Sequence, residues 1–326
     1  MITRSRLLIV GLIVMTISAA CTPSTPTLPP TVTPPVSVTA TRLPASATPT
    51  ISGSPPTITS ATTSTPAGPT FSHVYLIVME NKGYDNIVGN THAPYINSLI
   101  ADYGLATHYS GVAHPSEPNY LALFSGSTQG VADDARHDLA GQNLADQLEA
   151  QGKTWKVFAQ NVPLACYTGA TATNGEDGPG TYARKHEPAI SFTDISTVPA
   201  RCANITNFTH FDPAAADFEF IAPNMCNDMH DCAIATGDAF LRDFVPTILK
   251  SAAWQQGGVL FITWDEGEGS LSNRVVTLVI SKAVTPGFQS DVAHNHYALL
   301  RTIEDAWGLG CLNETCTANN MNEFFH

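Results

Sequence analysis

Along most of this chain the apolar residues fall in short unbroken runs, separated by glycine-, proline- and asparagine-rich punctuation. The run His73-Val-Tyr-Leu-Ile-Val-Met79 shows no polar alternation, which predicts a strand buried on both faces of a parallel sheet. Runs of the same kind predict further strands at 154–159, 218–222, 258–264 and 275–281, with another near 106–112. Between them, helical spacing predicts helices at 93–103, 118–124, 143–151, 237–251 and 297–307, the second with proline in its first turn. Strands alternating with helices predict a doubly wound α/β fold, with a mostly parallel central sheet and helices on both faces. In such a fold the chemistry collects beyond the carboxyl ends of the strands. Residues 161–209 show little periodicity and read as a long loop-rich region.

The first seventy residues follow a different pattern. Arg4 and Arg6 precede an apolar run from Leu7 to Met15, and Ser18-Ala-Ala20 lead into Cys21, the layout of an export signal. The run is too short to span a bilayer comfortably. Cys21 behind two alanines matches a lipoprotein cleavage site, so residues 1–21 are read as an export signal ending in a lipidated cysteine that tethers the chain to a membrane. Residues 22–70 are almost entirely Pro, Thr, Ser, Ala, Val and Gly, which cannot bury a core and predict a solvated stalk. The catalytic domain is assigned to 71–326, and the protein is expected to be a cell-surface or secreted monomer.

Charge and cysteines narrow the chemistry. The net charge is −13 and no Lys/Arg cluster occurs, which sets nucleic acid aside as a partner. An acidic protein that acts on an anion must attract it through a metal ion, a helix N-terminus or a few placed cations. Seven cysteines less Cys21 leave an even six, which in an exported chain read as disulfides. Proximity favours Cys226–Cys232 and Cys311–Cys316, leaving Cys166–Cys202, although sequence alone leaves other pairings open. No Cys-x-x-Cys spacing supports a zinc site instead.

Ligand-type residues follow three of the predicted strands: Glu80-Asn81, the segment His114-Pro-Ser116-Glu-Pro-Asn119, and Asp265-Glu266. Brought together they make an oxygen-rich cage that suits Ca, Mg or Mn better than zinc. Ser116 stands where a helix begins, so it is either an N-cap or a nucleophile whose hydroxyl is activated by a metal ion. His230, between Asp228 and Asp231, can serve as metal ligand, phosphate donor or leaving-group acid. Arg184-Lys185-His186 supplies local cations for an anion, and His294 and His296 precede the last helix.

Taken in order, Val78-Met-Glu-Asn81, His114-Pro-Ser-Glu-Pro-Asn-Tyr-Leu-Ala-Leu-Phe-Ser-Gly126, Tyr182-Ala-Arg-Lys-His186, Asn227-Asp-Met-His-Asp231, Thr263-Trp-Asp-Glu266 and His296-Tyr-Ala-Leu-Leu-Arg-Thr-Ile-Glu304 resemble the bacterial phosphoesterase family of acid phosphatases and phospholipases C. The resemblance runs from about Phe71 to Gly310. It implies the alkaline-phosphatase-like fold and a divalent metal held by Glu80, Asn81, Ser116, Asp265 and Glu266, with Ser116 as nucleophile. It also implies His186 and His230 as catalytic contacts to the phosphoryl oxygens. Asn81, His114, Lys185, Asp228 and His296 are placed with the substrate. Lys82-Gly83 departs from the Arg-Ser that relatives often carry, so no arginine role is carried over there.

The expected function is a secreted, metal-dependent phosphomonoesterase working through phosphoserine, with phosphoinositides among its possible substrates. A phospholipase C or other phosphodiesterase is the enzymatic rival. A stalked, non-catalytic adhesin is the rival from another class, and the intact set of metal-type residues around Ser116 speaks against it.

Overall fold

The structure, a computed structural model, describes residues 68–268 and 273–325. The export signal, Cys21 and all but the last residues of the stalk lie outside the described residues. In chain order the strands are Val74–Met79 (β1), Gly104–Ala106 (β2), Tyr109–Ser110 (β3), Trp155–Ala159 (β4), Thr171–Thr173 (β5), Thr181–Ala183 (β6), Ile205–Thr206 (β7), Phe218–Ala222 (β8), Val259–Trp264 (β9), Thr277–Ile280 (β10), Gln289–Ser290 (β11) and His294–Asn295 (β12). The α-helices are Tyr84–Ile87 (α1), Pro94–Asp102 (α2), Ser116–Ser125 (α3), Leu144–Ala150 (α4), Thr193–Ser196 (α5), Pro199–Cys202 (α6), Ile234–Leu249 (α7), Ala252–Gln255 (α8) and His296–Trp307 (α9).

Eight strands form the main sheet in the order β11-β2-β10-β9-β1-β8-β4-β7. Every residue of β1, β8 and β9 is buried, as the unbroken apolar runs require of strands covered on both faces. The parallel core is β9-β1-β8-β4-β7. β10 runs antiparallel to both β9 and β2, so the sheet is mixed on that side and mostly parallel overall. The sequence shows β10 as a strand but carries no signal of its direction, because a doubly buried antiparallel strand has the same apolar composition.

The strand expected near 106–112 is not one strand. The chain makes the short strand β2, which lies between β10 and β11, then leaves the sheet and pairs β3 with β12 in a separate two-stranded ribbon. The segment bearing Ser116 therefore follows this small ribbon and not a central strand. Its helix also starts earlier than expected, at Ser116 itself. Asn119 accounts for this: its side-chain carbonyl accepts from the N–H groups of Val112 and Ala113 at 2.8 and 3.0 Å, while its amide donates to Ala113 O and Pro115 O. That knot fixes the entry loop against the first turn.

All ten residues of α3 are buried, and the helix packs on α9. It stops at Gly126, which takes a left-handed φ of 67° and lies so close to Leu312 O that a β-carbon would collide with it. The region 161–209 holds only short elements, stapled by Cys166–Cys202. Cys226–Cys232 and Cys311–Cys316 complete the pairing that proximity favoured.

Candidate active site

The parallel register of β1 and β9 places Met79 beside Trp264, so the next residues, Glu80 and Asp265, emerge side by side at the carboxyl edge. Two further backbone bonds lock them there: Asp265 N donates to Met79 O at 2.9 Å, and Glu80 N donates to Asp228 O at 2.8 Å. Asn81 has a left-handed φ of 52°, and its N–H donates to Asp265 Oδ1 at 3.0 Å. Glu80, Asp228 and Asp265 are completely buried.

Ser116 Oγ donates to Glu80 Oε2 at 3.0 Å. The residue occupies the first turn of α3, and its N-cap is Pro115. The N-cap alternative for Ser116 is thereby removed, and the hydroxyl is left facing the carboxylates. His186 lies on the other side of Glu80, with Nε2 3.0 Å from Glu80 Oε1 and Nδ1 3.2 Å from Asp228 Oδ2. These separations are short but misaligned: Glu80 Oε1, Asp228 Oδ2 and both ring nitrogens of His186 are buried without a hydrogen-bond partner, as is Asp265 Oδ2. Tyr120 of α3 stacks on the His186 ring at 5.1 Å and fixes its plane.

His230 enters from the loop closed by Cys226–Cys232. Its N–H donates to Asp228 Oδ1 at 2.7 Å, and its Nδ1 meets Asp231 Oδ1 at 2.7 Å, which leaves Nε2 towards the site. Lys185 Nζ is 3.5 Å from that Nε2 and donates to Asp134 Oδ2 at 2.8 Å. His114 and Glu266 pair with each other at the rim, the histidine half exposed. Glu80, His186 and His230 each offer a donor atom within 4.8 Å of the others.

Burial dominates the electrostatics. It pushes Asp265 up to about 8, with Glu266 adding repulsion, and pushes Asp228 up to about 8. Glu80 is raised well above its usual range by burial and then by the charges of Asp265 and Asp228. His186 is held neutral, first by burial and then by Lys185 and His230. Three buried carboxylates with unpaired oxygens facing one neutral imidazole make a costly arrangement unless a cation joins them. The orphaned oxygens and nitrogens therefore fit a divalent cation. The set includes two imidazoles, a donor mix that also suits zinc and so differs from the all-oxygen cage expected from sequence.

The structure thus brings together Glu80, Asn81, Ser116, Lys185, His186, Asp228, His230 and Asp265, with His114 and Glu266 at the margin. His296, expected beside the substrate, is corrected. It is fully buried, with Nε2 donating to Asp265 O at 2.6 Å and Nδ1 3.0 Å from Tyr109 Oη, so both nitrogens serve to hold the Asp265 loop from behind. His294 is likewise turned away, bonded to Glu323 at 2.7 Å. Sequence reading missed Asp134, which accepts from Glu117 N at 3.0 Å as well as from Lys185, and Tyr120. Asp134 lies in an exposed loop with no periodicity, and only contacts across the fold single it out.

The mostly parallel sheet, with the Ser116 hydroxyl and the buried carboxylates gathered at its strand ends, has the alkaline-phosphatase-like fold. The fold agrees with solved structures of an alkaline phosphatase superfamily protein from Vibrio parahaemolyticus (TM-score 0.50, 12% identity, 76% of this chain and 70% of that one) and of a phosphonate monoester hydrolase of Agrobacterium radiobacter (TM-score 0.51, 12% identity, 78% and 77%). The chain belongs to the phosphoesterase family, which it matches over residues 90–310, and is a phosphoric-ester hydrolase. It is 36% identical over 243 residues to a phosphatidylinositol-3-phosphatase of Mycobacterium tuberculosis, covering 74% of this chain and 78% of the relative. It is 28% identical over 309 residues to an acid phosphatase of Aspergillus fumigatus, covering 91% and 68%.

Proposed function

We propose that this hydrolase is an exported, metal-dependent phosphomonoesterase that acts through a phosphoserine at Ser116, with phosphoinositides among its substrates and Cys21 as its membrane tether. The observation that carries the reading is the Ser116 hydroxyl, bonded to Glu80 within a buried group of unpaired carboxylates. The similarity to a phosphatidylinositol-3-phosphatase supports the substrate class.

Glu80, Ser116 and Asp265 would hold the divalent cation, with Asn81 and Glu266 beside them and His186 and His230 within reach. When bound, the cation supplies charge neutralisation and Lewis acidity at the reacting phosphorus. Ser116 Oγ forms the new bond to phosphorus as the ester oxygen–phosphorus bond breaks. Its proton passes toward the Glu80 carboxylate that already accepts it. His186 and Lys185 face the phosphoryl oxygens, where Tyr120 keeps the His186 ring in plane. Asp231 holds the Nδ1 proton of His230, so that in the doubly protonated ring Nε2 gives its proton to the leaving alcohol, and the bared Nε2 then takes one from the water that cleaves the phosphoserine.

The test is a side-by-side assay of the purified chain on a phosphate monoester and a diester, with and without chelator, combined with trapping of radiolabelled phosphate. The monoester should be the better substrate, chelator should stop turnover, and label should appear on the wild type only. Label on Ser116→Ala would sink the assignment of the nucleophile.

A further inference from the structure

Arg184 is one of three neighbouring cations that the sequence offers to an anion, but its guanidinium is engaged inside the protein. The residue is only 3% exposed, and Glu117, which follows the nucleophile, is 1% exposed. The two meet in the interior, with Arg184 Nη1 4.0 Å from Glu117 Oε1. Each is anchored further: Ser191 Oγ donates to Glu117 Oε1 at 3.1 Å, and Arg184 Nη2 donates to His137 O at 3.0 Å and to Ile190 O at 3.2 Å. Glu117 lies in the first turn of α3 directly behind Ser116, and Arg184 opens the single 3-10 turn that ends in His186. The pair therefore joins the segment that carries the nucleophile to the segment that carries Lys185 and His186.

A buried ion pair is a poor source of stability, because desolvation offsets the attraction, and this one leaves Glu117 Oε2 and Arg184 Nε without partners. Apolar side chains of similar size would hold the interior about as well. What the charged pair adds is direction, since a guanidinium meets a carboxylate in few arrangements while apolar groups slide past one another. Other contacts depend on that alignment. Tyr120, one turn after Ser116 on α3, stacks on the His186 ring with 5.1 Å between centroids and 10° between planes, and Asp134 accepts from both Glu117 N and Lys185 Nζ. A slip of the 3-10 turn along α3 would carry His186 away from Glu80, now 3.0 Å from it, and Lys185 away from His230, now at 3.5 Å.

We propose that Glu117 and Arg184 are positioning residues: their buried pair fixes the register of the His186 turn against α3, and so sets where His186 and Lys185 stand relative to the Ser116 hydroxyl. Neither touches the substrate; both act through His186. This inference rests on the reading of Ser116 and His186 as partners in one reaction, and the two fail differently.

The experiment measures melting curves, kcat and KM on 4-nitrophenyl phosphate for the full chain carrying Glu117→Gln, Arg184→Met or both, at a temperature where every variant is folded. Each single variant leaves one buried charge alone and should lower the melting temperature by about 5 °C or more, and the double variant, which leaves none, should recover about half of that loss or more. Turnover should not recover with it. In all three, kcat should fall about tenfold or more with KM within about twofold, because a reacting group displaced by part of an ångström loses rate and not ground-state binding. In a His186→Asn background the Glu117→Gln loss should shrink to within about twofold, since the pair acts through His186. A double variant with wild-type kcat, a loss carried by KM alone, or an undiminished loss beside His186→Asn overturns the proposal. Should the double variant fail to fold, Arg184→Lys decides: it keeps the charge, but one Nζ cannot span Glu117, His137 O and Ile190 O as the fork does. There kcat should still fall, and a wild-type kcat sinks the idea. If the wild type hydrolyses the ester but traps no phosphate on Ser116, the nucleophile is misassigned, while the same ratios still judge the pair.

Discussion

Two groups of three carboxylates in this molecule are built on opposite principles. Near α4 and α6, Asp146, Glu149 and Asp194 converge on Arg201, whose Nη2 donates to Asp146 at 2.8 Å, whose Nε donates to Glu149 at 2.9 Å and whose Nη1 bonds Asp194. Each carboxylate keeps some contact with solvent. At the ends of β1 and β9, Glu80, Asp228 and Asp265 are fully buried, keep unpaired oxygens and face a histidine held neutral. The first group is complete as the chain folds. On the proposed reading the second is completed by a cation and a substrate, and a fold that keeps so costly an arrangement does so for its chemistry.

The contrast is broken most directly at Asp265. Asp265→Asn keeps an oxygen for the Asn81 N–H but removes one buried charge, so turnover should drop by about a hundredfold or more. Stability without metal should hold or rise, because repulsion with Glu80 and Glu266 is relieved, and the thermal shift on adding Mn, Mg, Ca or Zn should shrink. Melting curves with and without metal, run beside the phosphatase assay, check both halves. A variant with wild-type turnover and wild-type metal shift would reduce Asp265 to a packing residue.

Arg201→Met should do the reverse. It leaves three carboxylates facing one another near the surface and should cost about 1–2 kcal/mol of stability, by denaturant titration. Turnover should stay within about twofold, since none of these side chains touches the Ser116 group. A large loss of kcat with unchanged stability would erase the distinction between the two groups.

A smaller effect sharpens the comparison through pH. Glu219 on β8 is buried, with an unpaired Oε2, and burial raises its pKa from an ordinary 4.5 to about 8. A carboxyl raised in the folded state binds its proton more tightly there than in the unfolded chain. Its stabilisation is full below about 4.5 and is lost as pH climbs through about 8. Melting temperature should therefore decline across that window, and Glu219→Gln should flatten the decline. An equally steep decline in the variant would move its origin to other buried carboxyls, such as Glu187, which is raised to about 8 by burial.

Much of this architecture was legible in the order of residues. The apolar runs of β1, β8 and β9 can only be doubly covered strands, and the ligand-type residues behind β1 and β9 mark where the chain leaves the sheet. Cysteines five or six residues apart pair locally, which left the third bridge to the remaining two. Ser116 stood out by its place at a helix entry.

Only the tertiary structure decided the rest, because each such feature is a meeting of segments whose local sequence is neutral about it. The direction of β10 depends on its neighbours and not on its composition. His296 and His230 are both histidines beside polar residues, yet packing against Tyr109 and Asp265 O uses up the nitrogens of the first, while a disulfide loop leaves Nε2 of the second facing the site. Asp134 acquires its place from Lys185, fifty-one residues away. A sequence states which side chains are available and which stretches must be buried; register and packing settle which of them share a few ångströms, and at those distances desolvation and charge decide what each group does.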